Sequence, residues 1–482
     1  CVCGSNSLLT PLYQNACFFL YRFKLVFNFI SPLYPSWTVM VLLFRTDLVQ
    51  LLVFLVVMVL TYSESKLTTA QQIALLGKIK LRSFIKWTNL WITTKRRISS
   101  KQDTNPEAYM TSVEIITSRG YPVEVHTVTT DDGYILEVHR IPHGKGQSAD
   151  SSVPYGKPVF LQHGFSTSDA DWLISPSDRS LAFRLADLGY DVWLGNARGN
   201  IYSRKHTNLN PSGEAYWKFS WDQMGTYDIP AVMNYILTKT GRAKLSYIGH
   251  SMGCAIFFVA MINHPELNNN IEVMMALAPA TALDHMRSPI RYFAPFVTAL
   301  QIFLRLLQTR VFLTRDDLIP RLQTIFCRDK NRHKTLFCRN MIFALVDDDL
   351  RNISPDLWPV MDGHVPAGTS VRTAAQFAQN HNSGETFIPF SYGWLRNLQR
   401  YGRLTPPPYE LNKVTCPVFI FYGDNDLLVG PEDAAWLAGK LGNVKEFIRV
   451  DHELYNHFDF LWATNNNAIL YDPIISRLPS AL

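Results

Sequence analysis

PVFLQHG (158–164) opens on a continuous apolar run rather than an alternating one, DVWLGN (191–196) reads as another buried strand, KLSYIGHSMG (244–253) as a strand and sharp turn, and CPVFIFYG (416–423) as a further strand. A strand with no polar face must be covered on both sides, the condition of a parallel sheet buried between helices. The segments between the runs supply the cover. LAFRLADLGY (181–190), MGTYDIPAVMNYILTKTG (224–241), CAIFFVAMINH (254–264) and DAAWLAGKLG (433–442) read as helices, two of them ending at Gly189 and Gly241. KEFIRV (445–450) reads as a further strand. Alternating strands and helices predict an α/β fold with a mainly parallel sheet flanked by helices. Ahead of this array, a short helix is expected around 108–119, followed by VEVHTVTT and YILEVHRI joined at Asp131-Asp132-Gly133, the pattern of a hairpin. From about Pro279 to Thr405 the alternation stops, and stretches such as YFAPFVTALQIFLRLLQTRVF predict an inserted, mainly helical cap.

Composition narrows the class. With 47% hydrophobic and 18% charged residues, the chain has ample apolar area for a core and a surface poor in charge, which suits work at a lipid surface. Its net charge of +6 owes much to one stretch, Lys78 to Lys101, and no groove-reading motif accompanies it, so nucleic acid is not an expected partner. Residues 1–39 precede the first methionine, Met40, and read as upstream sequence that is not native protein. Residues 40–65 have the layout of a signal peptide, with Arg45 in the head and a 13-residue apolar run, Leu48–Leu60. That run is shorter than the roughly 20 residues that span a bilayer, which favours cleavage over anchoring. Residues 66–104 read as a basic linker or pro-segment, leaving 105–482 as the folded domain. Cys327 and Cys338 bracket a polar loop and are disulfide candidates in an oxidising compartment, while Cys254 and Cys416 read as buried thiols. No CxxC pair suggests a metal site. Asn352-Ile353-Ser354 is a glycosylation sequon within the cap.

The chemistry centres on Gly249-His250-Ser251-Met252-Gly253, a G-x-S-x-G run between an expected strand and an expected helix. Gly249 and Gly253 are needed because side chains two residues from the serine would collide with the neighbouring strand and helix. The alternative is a serine that only caps a helix. A serine hydroxyl needs an adjacent base oriented by a carboxylate. Asp426, in the turn Gly423-Asp424-Asn425-Asp426, and His457, in YNHFDF, supply both in the order Ser, acid, His. Asp424 is the rival acid, and Asp459 lies awkwardly close to the histidine in sequence. Oxyanion donors are expected from the backbone N–H of Met252 and of Phe165 in Gln162-His163-Gly164-Phe165, unless His163 and Gly164 form a purely structural turn.

From about Asn105 onward the chain resembles the acid-lipase family of α/β-hydrolases, the gastric, lingual and lysosomal acid lipases and their insect relatives. The resemblance runs through TTDDGYILEVHRIPHG, FLQHGFSTSDADW, DVWLGNARGNIYSRKH, FSWDQMGTYDIPA, YIGHSMG, PAGTSVRT, DNDLLVGPEDA and YNHFDFLWA. It implies Ser251 as nucleophile, Asp426 as acid, His457 as base, Phe165 and Met252 as the oxyanion hole, and triacylglycerol or cholesteryl esters as substrates at a lipid–water interface. It also implies no metal or cofactor, while the signal peptide at 40–65 points to a secreted or lysosomal location. This chain departs from the family at Met252, where gastric-type members carry Gln; in the cap after Cys338, where a third cysteine is missing; and at Gln376-Phe377-Ala378-Gln379, where relatives carry a tryptophan. A lipid-binding relative without activity, or a short-chain carboxylesterase, are the alternative functions. The oligomeric state is not legible.

Overall fold

The structure, a computed structural model, describes residues 105–146, 156–292, 294–298, 301, 311–312 and 351–481. The leader, the signal-peptide and basic segments, Cys327 and Cys338 lie outside the described residues.

The single helix expected around 108–119 is two pieces. A 3-10 turn, Pro106–Tyr109, ends at Met110, and helix α1 (Ser112–Ser118) begins afresh behind Thr111. Thr111 Oγ1 accepts from Glu114 N (3.2 Å) and the Glu114 carboxylate accepts from Thr111 N (2.7 Å), a capping box that fixes an extended Thr111 and breaks the run. Strands β1 (Glu124–Thr129) and β2 (Tyr134–Ile141) form the expected antiparallel hairpin. There follow β3 (Pro158–Gln162), α2 (Leu181–Asp187), β4 (Asp191–Gly195), β5 (Lys205–His206), α3 (Ile229–Thr240), β6 (Leu245–His250) and α4 (Met252–Asn263). Helix α3 stops where Gly241 turns to φ 65°. Strand β7 (Ile271–Leu277) is not among the expected strands; it follows the polar 3-10 turn Pro265–Asn270, and its apolar stretch Val273–Leu277 is too short for periodicity alone to tell strand from helix. The chain then leaves the sheet through β8 (Val311–Phe312), α5 (Trp358–His364), β9 (Thr369–Ser370), α6 (Val371–His381) and α7 (Trp394–Tyr401), returning with β10 (Val418–Tyr422), α8 (Pro431–Ala438) and β11 (Val444–Arg449).

The main sheet runs β1-β2-β4-β3-β6-β7-β10-β11, with β5 beside β2. Pairs involving β1 and β2 are antiparallel and every pair from β4 onward is parallel. Successive residues of the central strands divide between two cores. Leu161, Leu194, Ile248 and Met275 enter one, and Phe160, Trp193, Tyr247 and Met274 enter the other, all fully buried. Each such side chain contributes about 1.5–3 kcal/mol, so a register slip would forfeit both cores at once.

The excursion between β7 and β10 is pinned to the sheet domain by Asp222. Its buried carboxylate accepts from Phe390 N (2.8 Å), the Tyr409 hydroxyl (2.7 Å) and Gln376 Nε2 (2.5 Å). Burial raises its pKa and these donors pull it back. Asp222→Ala would strand three buried donors, and each unpaired group costs about 1–3 kcal/mol. Urea unfolding of the variant is expected to show a loss of about 3 kcal/mol or more, and Asp222→Asn a smaller one.

Candidate active site

Ser251 follows β6 directly and occupies φ 55°, ψ −117°, a conformation side chains rarely adopt. Its neighbours make the turn possible. A Cβ at Gly253 would sit 2.5 Å from the carbonyl oxygen of Gln162 and 2.9 Å from that of His163, and one at Gly249 would sit 2.9 Å from the Gly253 carbonyl carbon. Both glycines therefore answer the steric demand read from the motif. Ser251 N donates to Leu277 O (2.9 Å), tying the turn to β7. The three non-glycine residues with positive φ among those described, Ser166, Ser251 and Ala278, stand just beyond β3, β6 and β7, so backbone strain gathers at one end of the sheet.

Asp426 and His457 are carried to the same end by the loops after β10 and β11. His457 Nδ1 donates to Asp426 Oδ2 at 2.7 Å, with both side chains buried. The other carboxylate oxygen, Oδ1, accepts from Leu428 N and Val429 N, each at 2.8 Å, so Asp426 has a fixed orientation. The two loops are also joined by Asn425 N donating to Tyr455 O (3.1 Å). The rival acids have other partners: Asp424 Oδ2 takes Arg449 Nε at 2.6 Å near the surface, and Asp459 Oδ2 takes Asn456 N and Asn352 Nδ2. The latter bond, 2.8 Å long, commits the amide of the sequon residue Asn352 to the histidine loop.

His250, within the same motif, joins the His457 loop to the turn that carries Ser251. Its Nε2–H donates to the His457 carbonyl (3.0 Å) and its ring lies 4.8 Å from the His457 ring. Burial, and next the neighbouring His457, hold its pKa well below the usual histidine value, so it is neutral.

The loop after β3 approaches Ser251 closely. A Cβ at Gly164 would lie 3.3 Å from Ser251 Cβ, which places the Gly164–Phe165 backbone beside Ser251. As the first residue of α4, Met252 has an N–H without a partner inside the helix. His163 is structural: Nδ1–H donates to Gly164 O (2.8 Å), Nε2 accepts from Ala197 N (3.0 Å), and burial lowers its pKa to about 4. A buried pair, His139 and Asp169, holds the same loop from beneath, with Ser112 Oγ (2.7 Å) on the other Asp169 oxygen. Burial alone would depress the His139 pKa; the carboxylates of Asp169 and Glu137 raise it to about 9. Above the loop, the Phe165 ring meets Phe377 of α6 edge-on at 4.9 Å, and Phe377 meets Trp221 at 4.7 Å. Cys254 and Cys416 are buried thiols outside any disulfide.

Residues 112–176 match the profile of a partial alpha/beta-hydrolase lipase region, and residues 157–464 match that of the alpha/beta hydrolase fold. The chain is 39% identical over 378 residues to gastric triacylglycerol lipase of Rattus norvegicus, a stretch covering 78% of this chain and 93% of that protein. The chain belongs to the acid-lipase family of α/β-hydrolases. Other members of this lipase family are lipase member K of Homo sapiens, 38% identical over 77% of this chain and 91% of that one, and lipase 1 of Drosophila melanogaster, 38% identical over 76% and 79%.

Because the His139 pKa is raised in the fold, its stabilising contribution is complete below the unfolded value of about 6.5 and is lost as pH rises through about 9. Melting temperatures of the wild type and His139→Gln, scanned from pH 5 to 10, are expected to differ by several degrees at the acid end and to converge toward the alkaline end.

Proposed function

We propose that the chain is a serine lipase that hydrolyses carboxylic esters of neutral lipids, triacylglycerol or cholesteryl ester, through an acyl-enzyme. The observation that carries this reading is the His457–Asp426 bond of 2.7 Å at the sheet end where Ser251 stands in its strained turn. In this mechanism Ser251 Oγ attacks the ester carbonyl while His457 Nε2 takes its proton. Asp426 keeps the proton of Nδ1 in place and stabilises the imidazolium. The N–H groups of Met252 and Phe165 receive the oxyanion. His457 then passes the proton to the departing alcohol, and water, activated by the same histidine, releases the fatty acid. His250, held neutral beside His457, adds no second positive charge to the imidazolium state.

Substitution of Met for Gln after the serine leaves this scheme intact, since only a backbone N–H is used. The aromatic succession Phe165, Phe377 and Trp221 is the proposed floor and roof for an acyl chain. The same reading includes export: a signal peptide at 40–65, a secreted or lysosomal destination, and a Cys327–Cys338 disulfide. A glycan on Asn352 would compete with the bond to Asp459. Retention of all three triad residues argues against a binding protein without activity.

Hydrolysis of short- and long-chain acyl esters, measured from pH 4 to 8, tests the proposal. Activity is expected to increase with chain length and to fall by a factor of about 10⁴ or more in Ser251→Ala. Activity confined to short chains would make the protein a carboxylesterase, and a folded protein inactive on both would defeat the catalytic reading. Phe377→Ala is expected to lower kcat/KM for long chains about tenfold while leaving short ones nearly unchanged, within the range by which apolar pocket contacts discriminate.

A further inference from the structure

Helix α7 is turned inside out. In a helix of a globular domain the apolar face points inward, but the one buried side chain of α7 is Asn397, whose Oδ1 accepts from Tyr392 N (2.8 Å) and whose Nδ2 donates to Ser391 Oγ (2.9 Å) and Leu404 O (3.0 Å). Its large apolar residues point outward: Trp394 is 63% exposed, Leu395 56% and Leu398 49%, with Leu404 just beyond the helix at 60%. At about 100° per residue the three helical ones occupy a single arc of roughly 100°. The charge around them has one sign. Arg396, Arg400 and Arg403 all lie between Ser391 and Tyr409, where the sequence holds no Asp or Glu. Arg396 and Arg403 are exposed, and Arg400 stacks on Tyr392, 5.0 Å from the ring centre.

We propose that α7 is a docking helix that seats the cap on an anionic lipid surface. The inference rests on the lipase reading above. An apolar arc beside arginines is what an interfacial helix needs, since apolar side chains enter the headgroup boundary while each basic residue adds attraction to anionic lipid. A protein partner fits less well. Four exposed apolar side chains fall far short of the roughly 20 residues a side of a stable protein interface, whereas they suffice for a surface anchor. The helix is also linked to the site. Ser391, just ahead of it, exchanges two hydrogen bonds with Gln379 of α6, its N–H donating to Oε1 (2.8 Å) and its carbonyl accepting from Nε2 (3.0 Å), and α6 carries Phe377 against Phe165. Docking through α7 therefore brings the lipid surface to the cap element that stands over the loop after β3, beside Ser251.

The test uses the full chain. Ser251→Ala protein, which leaves the lipid intact, is floated with vesicles of phosphatidylcholine alone or with about 30% phosphatidylserine; the same protein carrying Trp394→Ser, Leu395→Ser and Leu398→Ser, or Arg396→Glu and Arg403→Glu, is compared. In the Ser251 background, each variant is assayed on a dissolved short-chain ester and on a long-chain emulsion. The expected result is preferential flotation with the phosphatidylserine vesicles, at least tenfold weaker binding and emulsion hydrolysis for the serine triple variant, loss of the phosphatidylserine preference in the glutamate variant, and unchanged turnover of the dissolved ester by both. Equal flotation of wild type and triple variant, or a dimer that the triple variant splits into monomers, would overturn the proposal. Vesicle binding through α7 without hydrolysis of either ester would uphold the docking face and sink the lipase reading on which its purpose rests.

Discussion

At Gly253 the first turn of α4 runs against the ends of β3 so closely that a methyl group there would meet the carbonyl oxygens of Gln162 and His163. This approach sets where Ser251 stands. With the helix pressed onto β3 and the strand β6 entering beside it, Ser251 has to turn through positive φ, and its N–H is held by Leu277 of the next strand. The same approach brings the Gly164–Phe165 backbone alongside Ser251 and leaves the Met252 N–H at an open helix start. One tight packing contact therefore positions Ser251, the proposed nucleophile, together with the two N–H groups proposed to receive the oxyanion.

The remaining groups are delivered by loops, each fixed by buried polar contacts. Asp426 is held by two backbone N–H groups, His457 by Asp426 and His250, the oxyanion loop by His139 and Asp169, and the cap by Asp222. Such buried charges and imidazoles are expensive, and removing one partner of a set leaves the other unsatisfied. Their return is placement: four loops from different parts of the chain converge with little freedom left.

What was legible in the sequence follows from how local the cause is. Gly249, Ser251 and Gly253 announce the turn because the steric demand falls within five residues, and the hairpin around Gly133 for the same reason. The order of Ser251, Asp426 and His457, joined to the strand pattern, put all three at one sheet end. Other features have their causes far away in sequence. Nothing near Asp222 indicates that it anchors segments around Gln376, Phe390 and Tyr409, and nothing near His139 points to Asp169. His250 sat in view within the motif, but its bond to the His457 carbonyl exists only in the fold. The short apolar stretch of β7 carries no period that separates strand from helix, and the helix expected from 108 begins only at Ser112 because the capping box at Thr111 starts it afresh. The outward apolar arc of α7 reads in sequence as an ordinary amphipathic helix, and only burial shows which face is turned to solvent.

The central claim is that Ser251 is the nucleophile, and a serine-directed alkyl phosphonate ester followed by peptide mass spectrometry tests it most directly. One equivalent of adduct on the peptide containing Ser251, formed in step with loss of ester hydrolysis, is the predicted result. Inactivation with the phosphonate on another residue, or full labelling of Ser251 with activity retained, would contradict the account.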